Sequence, residues 1–552
     1  MTGRTVRAVN GSPRPRPASV RHADGRSPLA EQTIGALLRE TVARRPEAVA
    51  LRGVPDGGGT SRQWTYAELL AEAESVASGI LARVPRGSRV ALWAPSVPQW
   101  PLFEYAAALA GVTLVTLNPA FRAADLTHAL GVCEAQMLVH ADRSRAYDMA
   151  AVVSSVAAGL PRLRHVVSLS DWDDLRGGGP PPARHEPDPA APAQIQFTSG
   201  TTGAPRAVLL SHRAVVNVPR LTFEALGVRE GTTVVSPLPM FHTAGCVISC
   251  LGPLWSGGTF VLLERFDAKV LLATLSEAPG AVLTSVPTVL STLNEAARAV
   301  PDRPVLSSVL TGAAPVRPQL IAETERLFST TVFNLYGQTE LASVLTLTRP
   351  DDTVEAKTST VGRPLPHVDC KIVHPESGAV QPLGVQGEIC ARGYQQMIGY
   401  YGDPGATAAK VDAEGWLHTG DLGSMDATGA LRVDGRLDDL IIRGGENIAP
   451  AAIEEVLAEV PGVREAVVVG IPDEVWGEEV AAVVQPVPGA VLCLETLLAQ
   501  CEGRLTPYKV PVHWFLAADL PQTASGKVQR FRVAELAAAG RLERLGRDST
   551  GI

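Results

Sequence analysis

A loop rich in hydroxyl residues and glycine is the stretch of this 552-residue chain best suited to chemistry. It lies between the apolar run 195–197 and the β-branched run 207–210, which predicts a connection between two strands. Glycine lets the backbone turn sharply, and successive N–H groups in such a turn bind anions. Arg206 adds a permanent charge with a planar fork for phosphate. The residues predicted to cradle a polyphosphate are Thr198, Ser199, Gly200, Thr201, Thr202, Gly203 and Arg206.

The order of residues in this loop separates it from simpler loops. Flexible linkers seldom carry two glycines, a proline and an arginine in this order between apolar strands. The G-x-x-x-x-G-K-[ST] pattern of the common phosphate loop is absent. The loop instead resembles the T-S-G-T-T-G-x-P-K-G signature of the adenylate-forming superfamily, which contains acyl-CoA synthetases, adenylation domains of peptide synthetases and luciferases. Arg206 replaces the lysine of that signature, and Ala207 replaces its last glycine.

A second segment, 334–340, resembles the Y-G-x-T-E element of the superfamily. The ring of Tyr336 can lie flat on a purine, and Thr339 offers a hydroxyl to the α-phosphate. Glu340 is a hard oxygen ligand for the Mg²⁺ that accompanies ATP, and Thr202 is the other residue placed near the metal. The resemblance adds further ATP- and AMP-binding residues: Gly312, Ala313, Ala314, Asn334, Gly337 and Gln338.

Three later segments match the superfamily in its order. The T-G-D element at 419–421 implies that Asp421 anchors the ribose, and the G-R-x-x-D element implies that Arg436 holds ribose or phosphate. Asp438 would then be the hinge about which a small domain turns. The P-x-T-x-x-G-K element makes Lys527 the first catalytic candidate, bridging the attacking carboxylate and the α-phosphate. Loss of such a contact costs about 3–4 kcal/mol of transition-state energy.

The segment 237–245 resembles the P-x-x-H segment of acyl- and aryl-CoA synthetases. Amino-acid activators usually carry an aspartate after the phenylalanine, where this chain has His242, so an α-amino acid is not expected. His242 joins Lys527 and Glu340 as a catalytic candidate. The surrounding residues are apolar and favour an uncharged aliphatic or aryl acid. The predicted acyl pocket consists of Met240, Phe241, His242, Cys246, Leu335, Leu341 and Val344.

A glycine-containing strand at 442–447 resembles the one that lines the pantetheine tunnel of related ligases, and glycine suits a narrow passage. Two aromatic residues, Trp476 and Tyr508, stand where such ligases stack the adenine of coenzyme A; ordinary half-buried aromatic residues are the alternative. The residues predicted to contact CoA are Arg443, Gly444, Gly445, Trp476 and Tyr508.

Helix and strand patterns alternate along much of the chain, which predicts an α/β fold with layers around mostly parallel sheets. Helices are expected at 33–45, at 67–81 after a cap at Thr65, and at 104–110. After residue 387 short strands with Gly and Asp turns predict a small β-barrel-like part. The expected units are a disordered extension at 1–28, a large ATP- and acyl-binding domain at 29–436, and a small mobile α+β domain at 437–545.

The composition excludes several classes of protein. Hydrophobic residues make up 45% and charged residues 19%, as in ordinary globular proteins. The net charge of −8 argues against nucleic acid as the main partner. The 7 cysteines are scattered without a C-x-x-C pair, which favours reduced thiols in a cytoplasmic enzyme. No apolar run approaches the ~20 residues of a membrane span.

The resemblance implies an enzyme that uses ATP, Mg²⁺ and coenzyme A to turn a carboxylic acid into acyl-AMP and then acyl-CoA. One alternative acceptor is a carrier-protein thiol, as in fatty acyl-AMP ligases, although the inserted segment of those enzymes is not seen before the hinge. Another alternative is a silent nucleotide-binding protein. Fatty, ring and aryl acids all remain open as substrates, with medium-to-long aliphatic chains leading by resemblance.

Overall fold

The structure is a computed structural model that describes residues 17–25, 27–177, 187–198, 205–314, 316–444, 446–522 and 528–546. Several predicted site residues lie outside these ranges: Ser199, Gly200, Thr201, Thr202, Gly203, Gly445 and Lys527. The described residues confirm the α/β class, with helices packed on large sheets. Among them, no helix combines the length and the apolar character needed to cross a membrane.

One large sheet contains the two strands that flank the predicted phosphate loop. Its central strands are parallel, and Pro192–Thr198 pairs antiparallel with Arg206–Ser211. Thr198 and Arg206 are register partners, so the residues between them connect the two arms of a hairpin, as the sequence predicts. The strands of this sheet, in spatial order, are Gly399–Tyr400, Arg206–Ser211, Pro192–Thr198, Thr113–Leu117, Arg89–Trp93, Met137–His140 and His165–Ser168.

A second large sheet carries two more of the predicted nucleotide-binding segments, 312–314 and 334–340. Ser308–Gly312 and Thr331–Tyr336 are parallel neighbours, and Gly312 is the register partner of Leu335. The segments that follow these strands therefore begin side by side at the carboxyl ends of the strands, where α/β folds bind ligands. The strands of this sheet, in spatial order, are Arg363–Pro364, Thr346–Leu347, Thr331–Tyr336, Ser308–Gly312, Val282–Thr284, Val234–Ser236, Phe260–Leu263, Val49–Val54 and Arg62–Thr65.

The helices cover the faces of these sheets and bury two apolar clusters, a large one that spans both sheets and a smaller one on the second sheet. The cap predicted at Thr65 is present and forms a capping box with Glu68, while Thr33, predicted as the first helical residue, instead caps Ile34–Arg44. The third predicted helix begins at Gln99 rather than at 104. The α-helices are Ile34–Arg44, Tyr66–Leu81, Gln99–Ala110, Ala123–Val132, Met149–Val156, Trp172–Leu175, His212–Ala225, Leu251–Ser256, Ala268–Ser276, Pro287–Arg298, Pro318–Phe328, Val354–Ser359, Pro404–Lys410, Pro450–Ala458, Leu494–Glu502 and Arg530–Ala538.

A smaller antiparallel sheet forms the predicted barrel-like part. Its strands, in spatial order, are Val20–Arg21, Val368–Val373, Gly387–Gly393, Leu417–Met425 and Leu431–Arg436. Arg21 on its first strand donates a hydrogen bond of 2.8 Å to the Thr428 carbonyl, in the turn before its last strand, so the two ends of the sheet are in contact. The prediction of disorder for 1–28 is therefore wrong for residues 17–25, whose backbone pairs with a distant strand that local sequence patterns do not reveal.

The residues after 440 build two apolar clusters of their own. Their sheet contains the long antiparallel pair Val463–Asp473 and Gly477–Pro486. Both strands extend beyond the predicted 466–469 and 480–485, because the ladder continues into residues without a strong apolar pattern. The remaining strands of this sheet are Ile441–Arg443, Glu446–Ile448, His513–Leu516 and Glu543–Arg544.

Candidate active site

The predicted nucleotide-binding residues follow two parallel strands of the second sheet, and the backbone there has little steric room. Ala313 has φ 64°, a left-handed conformation that costs free energy in a residue other than glycine. Gly337 has no room for a side chain, since a Cβ atom would lie 2.1 Å from the Ser343 carbonyl oxygen. Asn334 is buried on its strand and ties it to Thr360, with 3.4 Å between its Nδ2 and the Thr360 carbonyl oxygen. Ala313 and Gly337 thus hold backbone positions with narrow steric limits in the segments 312–314 and 336–339.

The predicted ribose anchor is held from two sides. The Tyr336 hydroxyl donates a hydrogen bond of 2.6 Å to Oδ2 of Asp421, and Nε of Arg436 lies 3.1 Å from Oδ1. Arg436 and Asp421 are register partners on adjacent strands, which explains the ion pair. Burial and the Asp421 carboxylate raise the pKa of the Tyr336 hydroxyl, so it stays a donor at neutral pH. Three residues predicted from separate motifs thus meet at one carboxylate.

A tyrosine links Glu340, the predicted magnesium ligand, to Arg206 of the predicted phosphate loop. Glu340 is buried in the turn Thr339–Leu341, and its Oε1 accepts a hydrogen bond of 2.8 Å from the Tyr400 hydroxyl. The guanidinium carbon of Arg206 lies 5.4 Å from the centroid of the Tyr400 ring, within the range of cation–π attraction. This chain of contacts places the cation of the phosphate loop and the candidate magnesium ligand on the same side of the site.

Lys410 is a residue of this region that the motifs did not indicate. Its Nζ donates a hydrogen bond of 2.9 Å to the carbonyl of Thr419, which also accepts a longer bond of 3.5 Å from Gln338. Burial lowers the pKa of Lys410, although the carboxylates of Glu340 and Asp421 act against that shift. A lysine at the end of a short helix carries no local signal of such a role; only the fold brings it to the T-G-D turn.

The predicted acyl residues fall into two groups. Met240, Cys246, Leu341 and Val344 are all 0% exposed and belong to the apolar core. His242 and Leu335 keep exposed surface, and the His242 ring packs against Phe241 with 4.4 Å between centroids. Of these six residues, only His242 and Leu335 therefore offer accessible surface; we call the four fully buried side chains the apolar wall.

Polar residues that sequence reasoning missed form hydrogen bonds next to these apolar side chains. Thr116 donates a hydrogen bond of 3.0 Å to the Phe241 carbonyl, and Gln196 donates one of 3.2 Å to the Cys246 sulfur. Gln194 in turn donates to the fully buried carboxyl of Glu104. Burial raises the pKa of Glu104 to about 8, so this carboxyl is mostly protonated at neutral pH. Glutamate within an apolar helix was the signal available in the sequence.

Four of the residues predicted to contact CoA, Arg443, Gly444, Trp476 and Tyr508, lie together in the C-terminal part, while Gly445 lies outside the described residues. Arg443 donates a hydrogen bond of 3.1 Å to the Tyr508 carbonyl, and its guanidinium lies 5.4 Å from the Trp476 ring centroid. The Gly444 amide donates to the Trp476 carbonyl at 2.8 Å. Both aromatic side chains keep exposed surface. Asp438 lies in the short turn Leu437–Asp439, directly after Arg436, as expected of a connecting segment.

Comparison with known proteins assigns this arrangement to a family. The profile described as AMP-binding enzyme matches residues 38–401, and the profile described as AMP-binding enzyme C-terminal domain matches residues 452–527. The putative acyl-CoA synthetase YngI of Bacillus subtilis is 32% identical over 92% of this chain and 97% of its own length. The human mitochondrial medium-chain acyl-CoA ligase ACSF2 is 32% identical over 92% of this chain and 88% of its own length.

Solved structures agree with these relatives. ATP-bound MatB from Rhodopseudomonas palustris superposes with a TM-score of 0.83 at 26% identity, covering 92% of this chain and 99% of that one. The o-succinylbenzoate CoA synthetase MenE of Bacillus subtilis, in complex with its acyl-adenylate, gives a TM-score of 0.78 at 28% identity, covering 92% and 98%. The chain thus belongs to the adenylate-forming superfamily of AMP-binding enzymes, as an AMP-forming acid–thiol ligase of the acyl-CoA synthetase type.

Proposed function

We propose that the enzyme activates an apolar, medium-chain fatty acid and transfers it to coenzyme A. In the first step a carboxylate oxygen attacks the α-phosphorus of ATP, and pyrophosphate leaves. In the second step the CoA sulfur attacks the acyl carbonyl, the thiol proton is lost, and AMP leaves. The observation that carries this proposal is the Asp421 carboxylate held by Tyr336 and Arg436 at the edge of the second sheet. Such a carboxylate can accept both hydroxyls of a ribose.

In this proposal, the other predicted residues bind different parts of ATP. The ring of Tyr336 would stack on adenine, while Thr339 and the loop residues Thr201, Thr202 and Arg206 would bind phosphates. Glu340 fits Mg²⁺ in its chemistry, because it offers a carboxylate oxygen beside the one bonded to Tyr400. When bound with ATP, Mg²⁺ supplies positive charge against the phosphate oxygens. Thr202 is the second residue proposed near the ion.

We propose a boundary between the two domains at residues 436 and 437, with Asp438 as the hinge. The separate apolar clusters after residue 440 support a C-terminal unit with its own core. Rotation about Asp438 would move Lys527, the proposed adenylation residue, out of the active site. The same rotation would bring in Arg443, Gly444 and Trp476, which would contact CoA. Such domain rotations commonly control access to a site.

The substrate class rests on the apolar wall and on the relatives. Met240, Leu341 and Val344 offer no charge to pair with a second carboxylate. Similarity to medium-chain acyl-CoA ligases favours an aliphatic chain over an aryl acid. Pyrophosphate release with a panel of fatty, dicarboxylic and aryl acids tests this choice. A clear preference for aryl acids would reject it, and a product formed on carrier protein but not on CoA would reject the acceptor.

Lys527→Ala tests the division between the two steps. We expect acyl-AMP formation to fall by a factor of about 10²–10³, because the lysine stabilises charge in the first transition state. Conversion of supplied acyl-AMP to acyl-CoA should continue. Lys269→Ala, at an exposed lysine of the large domain, is the control and should retain both steps. Equal loss of both steps in Lys527→Ala would contradict the proposed role.

A further inference from the structure

A mixed cluster of possible metal ligands lies next to the ribose anchor. Its members are Glu388 and Cys390 on the strand Gly387–Gly393, and His418 on the neighbouring strand Leu417–Met425. Cys390 and His418 are register partners, so their side chains share one face of the sheet. The three ligating atoms, a thiol sulfur, an imidazole nitrogen and a carboxylate oxygen, all lie within 4.8 Å of one another. We call these three residues the thiol–imidazole cluster.

The spacing of the cluster suits a tetrahedral metal. A zinc ion with bonds of about 2.3 Å to sulfur and about 2.0 Å to nitrogen places those two atoms roughly 3.5 Å apart. Sγ of Cys390 lies 3.5 Å from Nδ1 of His418. Oε2 of Glu388 lies 2.7 Å from the same nitrogen and would move outward to about 3.3 Å, a small change for a carboxylate. A water molecule could supply the fourth ligand.

The second nitrogen of the imidazole has the partner that a metal-bound histidine needs. Nε2 of His418 lies 3.5 Å from Oδ2 of Asp412. The other oxygen of Asp412 is fixed by the amides of Glu414 and Trp416, at 2.9 and 2.8 Å. A carboxylate behind the imidazole directs the opposite nitrogen toward the metal, as in carboxylate–histidine–zinc sites. Asp412 therefore orients the ring without touching the ion.

The remaining oxygen of the cluster connects it to the nucleotide site. Oε1 of Glu388 accepts a hydrogen bond of 3.0 Å from the amide of Gly420, the residue before Asp421. A metal on Oε2 would thus be joined through one carboxylate to the turn that presents the ribose anchor. Binding of a metal to the Cys390 sulfur must release the thiol proton. Affinity should therefore rise with pH.

We propose that Glu388, Cys390 and His418 form a binding site for zinc or a similar soft divalent cation, with Asp412 as the positioning residue. The site is distinct from the magnesium position at Glu340, because Mg²⁺ prefers oxygen ligands and does not select a thiol. It does not depend on the identity of the fatty acid, so its failure would leave the proposed function intact. Its location beside Gly420 makes nucleotide binding the property that the metal would influence.

Cobalt(II) titration of the full chain tests the site, because a cobalt–thiolate bond gives a charge-transfer band in the near ultraviolet. We expect this band at one equivalent of cobalt, its disappearance when zinc is added, and its loss in Cys390→Ser. Asp412→Asn should weaken cobalt binding by a factor of about 10–100. Absence of the band in the natural protein, or an unchanged band in Cys390→Ser, would overturn the proposal.

Two other thiols provide matched controls. Cys370 is equally buried on the adjacent strand, where its register partner is Ala391, and Cys493 is exposed. Cys370→Ser and Cys493→Ser should keep the band, and loss of it in Cys493→Ser alone would show adventitious binding and refute the site. If Cys390→Ser fails to fold, as judged by its thermal unfolding, His418→Asn provides a second route. An unchanged cobalt spectrum in His418→Asn would also refute the proposal.

Discussion

Tyr336→Phe isolates the contribution of one hydroxyl to nucleotide binding. The substitution keeps the ring that would stack on adenine and removes the 2.6 Å hydrogen bond to Asp421. Hydrogen bonds to charged groups contribute about 1.5–3 kcal/mol. Arg436 still holds the other carboxylate oxygen, so we take the lower end of this range. At 1.4 kcal/mol for each factor of ten, AMP should bind about tenfold more weakly.

Calorimetric titration with AMP and with 2′,3′-dideoxy-AMP measures this effect. Only AMP has the hydroxyls that Asp421 would accept, so the loss should be specific to AMP. Tyr147→Phe is a matched control, since it removes a hydroxyl that donates a hydrogen bond of 2.8 Å to the Phe121 carbonyl and not to Asp421. Equal weakening of both nucleotides in Tyr336→Phe would show that the hydroxyl does not act through Asp421 on the ribose.

Two further substitutions test residues that the fold revealed. Glu104 has a pKa of about 8 in the folded protein against 4.5 for an unperturbed group, so the folded state keeps a proton that the unfolded state loses. The free energy of unfolding of the wild type should therefore fall by up to ~1.4 kcal/mol per pH unit as the pH rises between these two pKa values. Urea unfolding of Glu104→Gln should show a weaker dependence of this free energy on pH. Identical pH profiles for the two proteins would contradict the raised pKa. Lys410→Met should raise the KM for ATP about tenfold in a pyrophosphate-release assay, since it removes a charged donor from the Thr419 carbonyl, whereas Lys410→Arg should restore part of the loss. An unchanged KM in Lys410→Met would exclude a role in holding the T-G-D turn.

The sequence motifs could be recognised without a structure because each consists of residues close together in the chain. Asp421 and Arg436 are 15 positions apart on adjacent strands of one antiparallel pair, so local patterns predict their neighbourhood. The partners of Glu340 could not be found this way. Tyr400 reaches it only because a short strand, Gly399–Tyr400, pairs with Arg206–Ser211 from another part of the chain. Apolar periodicity carries no information about such distant pairing.

The acyl wall shows a second limit of sequence reasoning. Apolar residue types led to the prediction of an acyl lining, but they did not show that Met240 and Val344 have no exposed surface. Nor did those types reveal Glu104 and Gln194 behind the wall, because burial of a polar group depends on a partner from another element. The burial of these groups is a property of the packed fold.

The short strand Val20–Arg21 has a practical consequence for making this protein. It covers the outer edge of Val368–Val373, and Arg21 also reaches the turn at Thr428. A shortened gene product starting at residue 29 would leave that edge bare, with unpaired amides and carbonyls directed at neighbouring molecules. Bare edges recruit strands from other chains. Shortened versions should thus be more prone to form inclusion bodies than the full-length polypeptide.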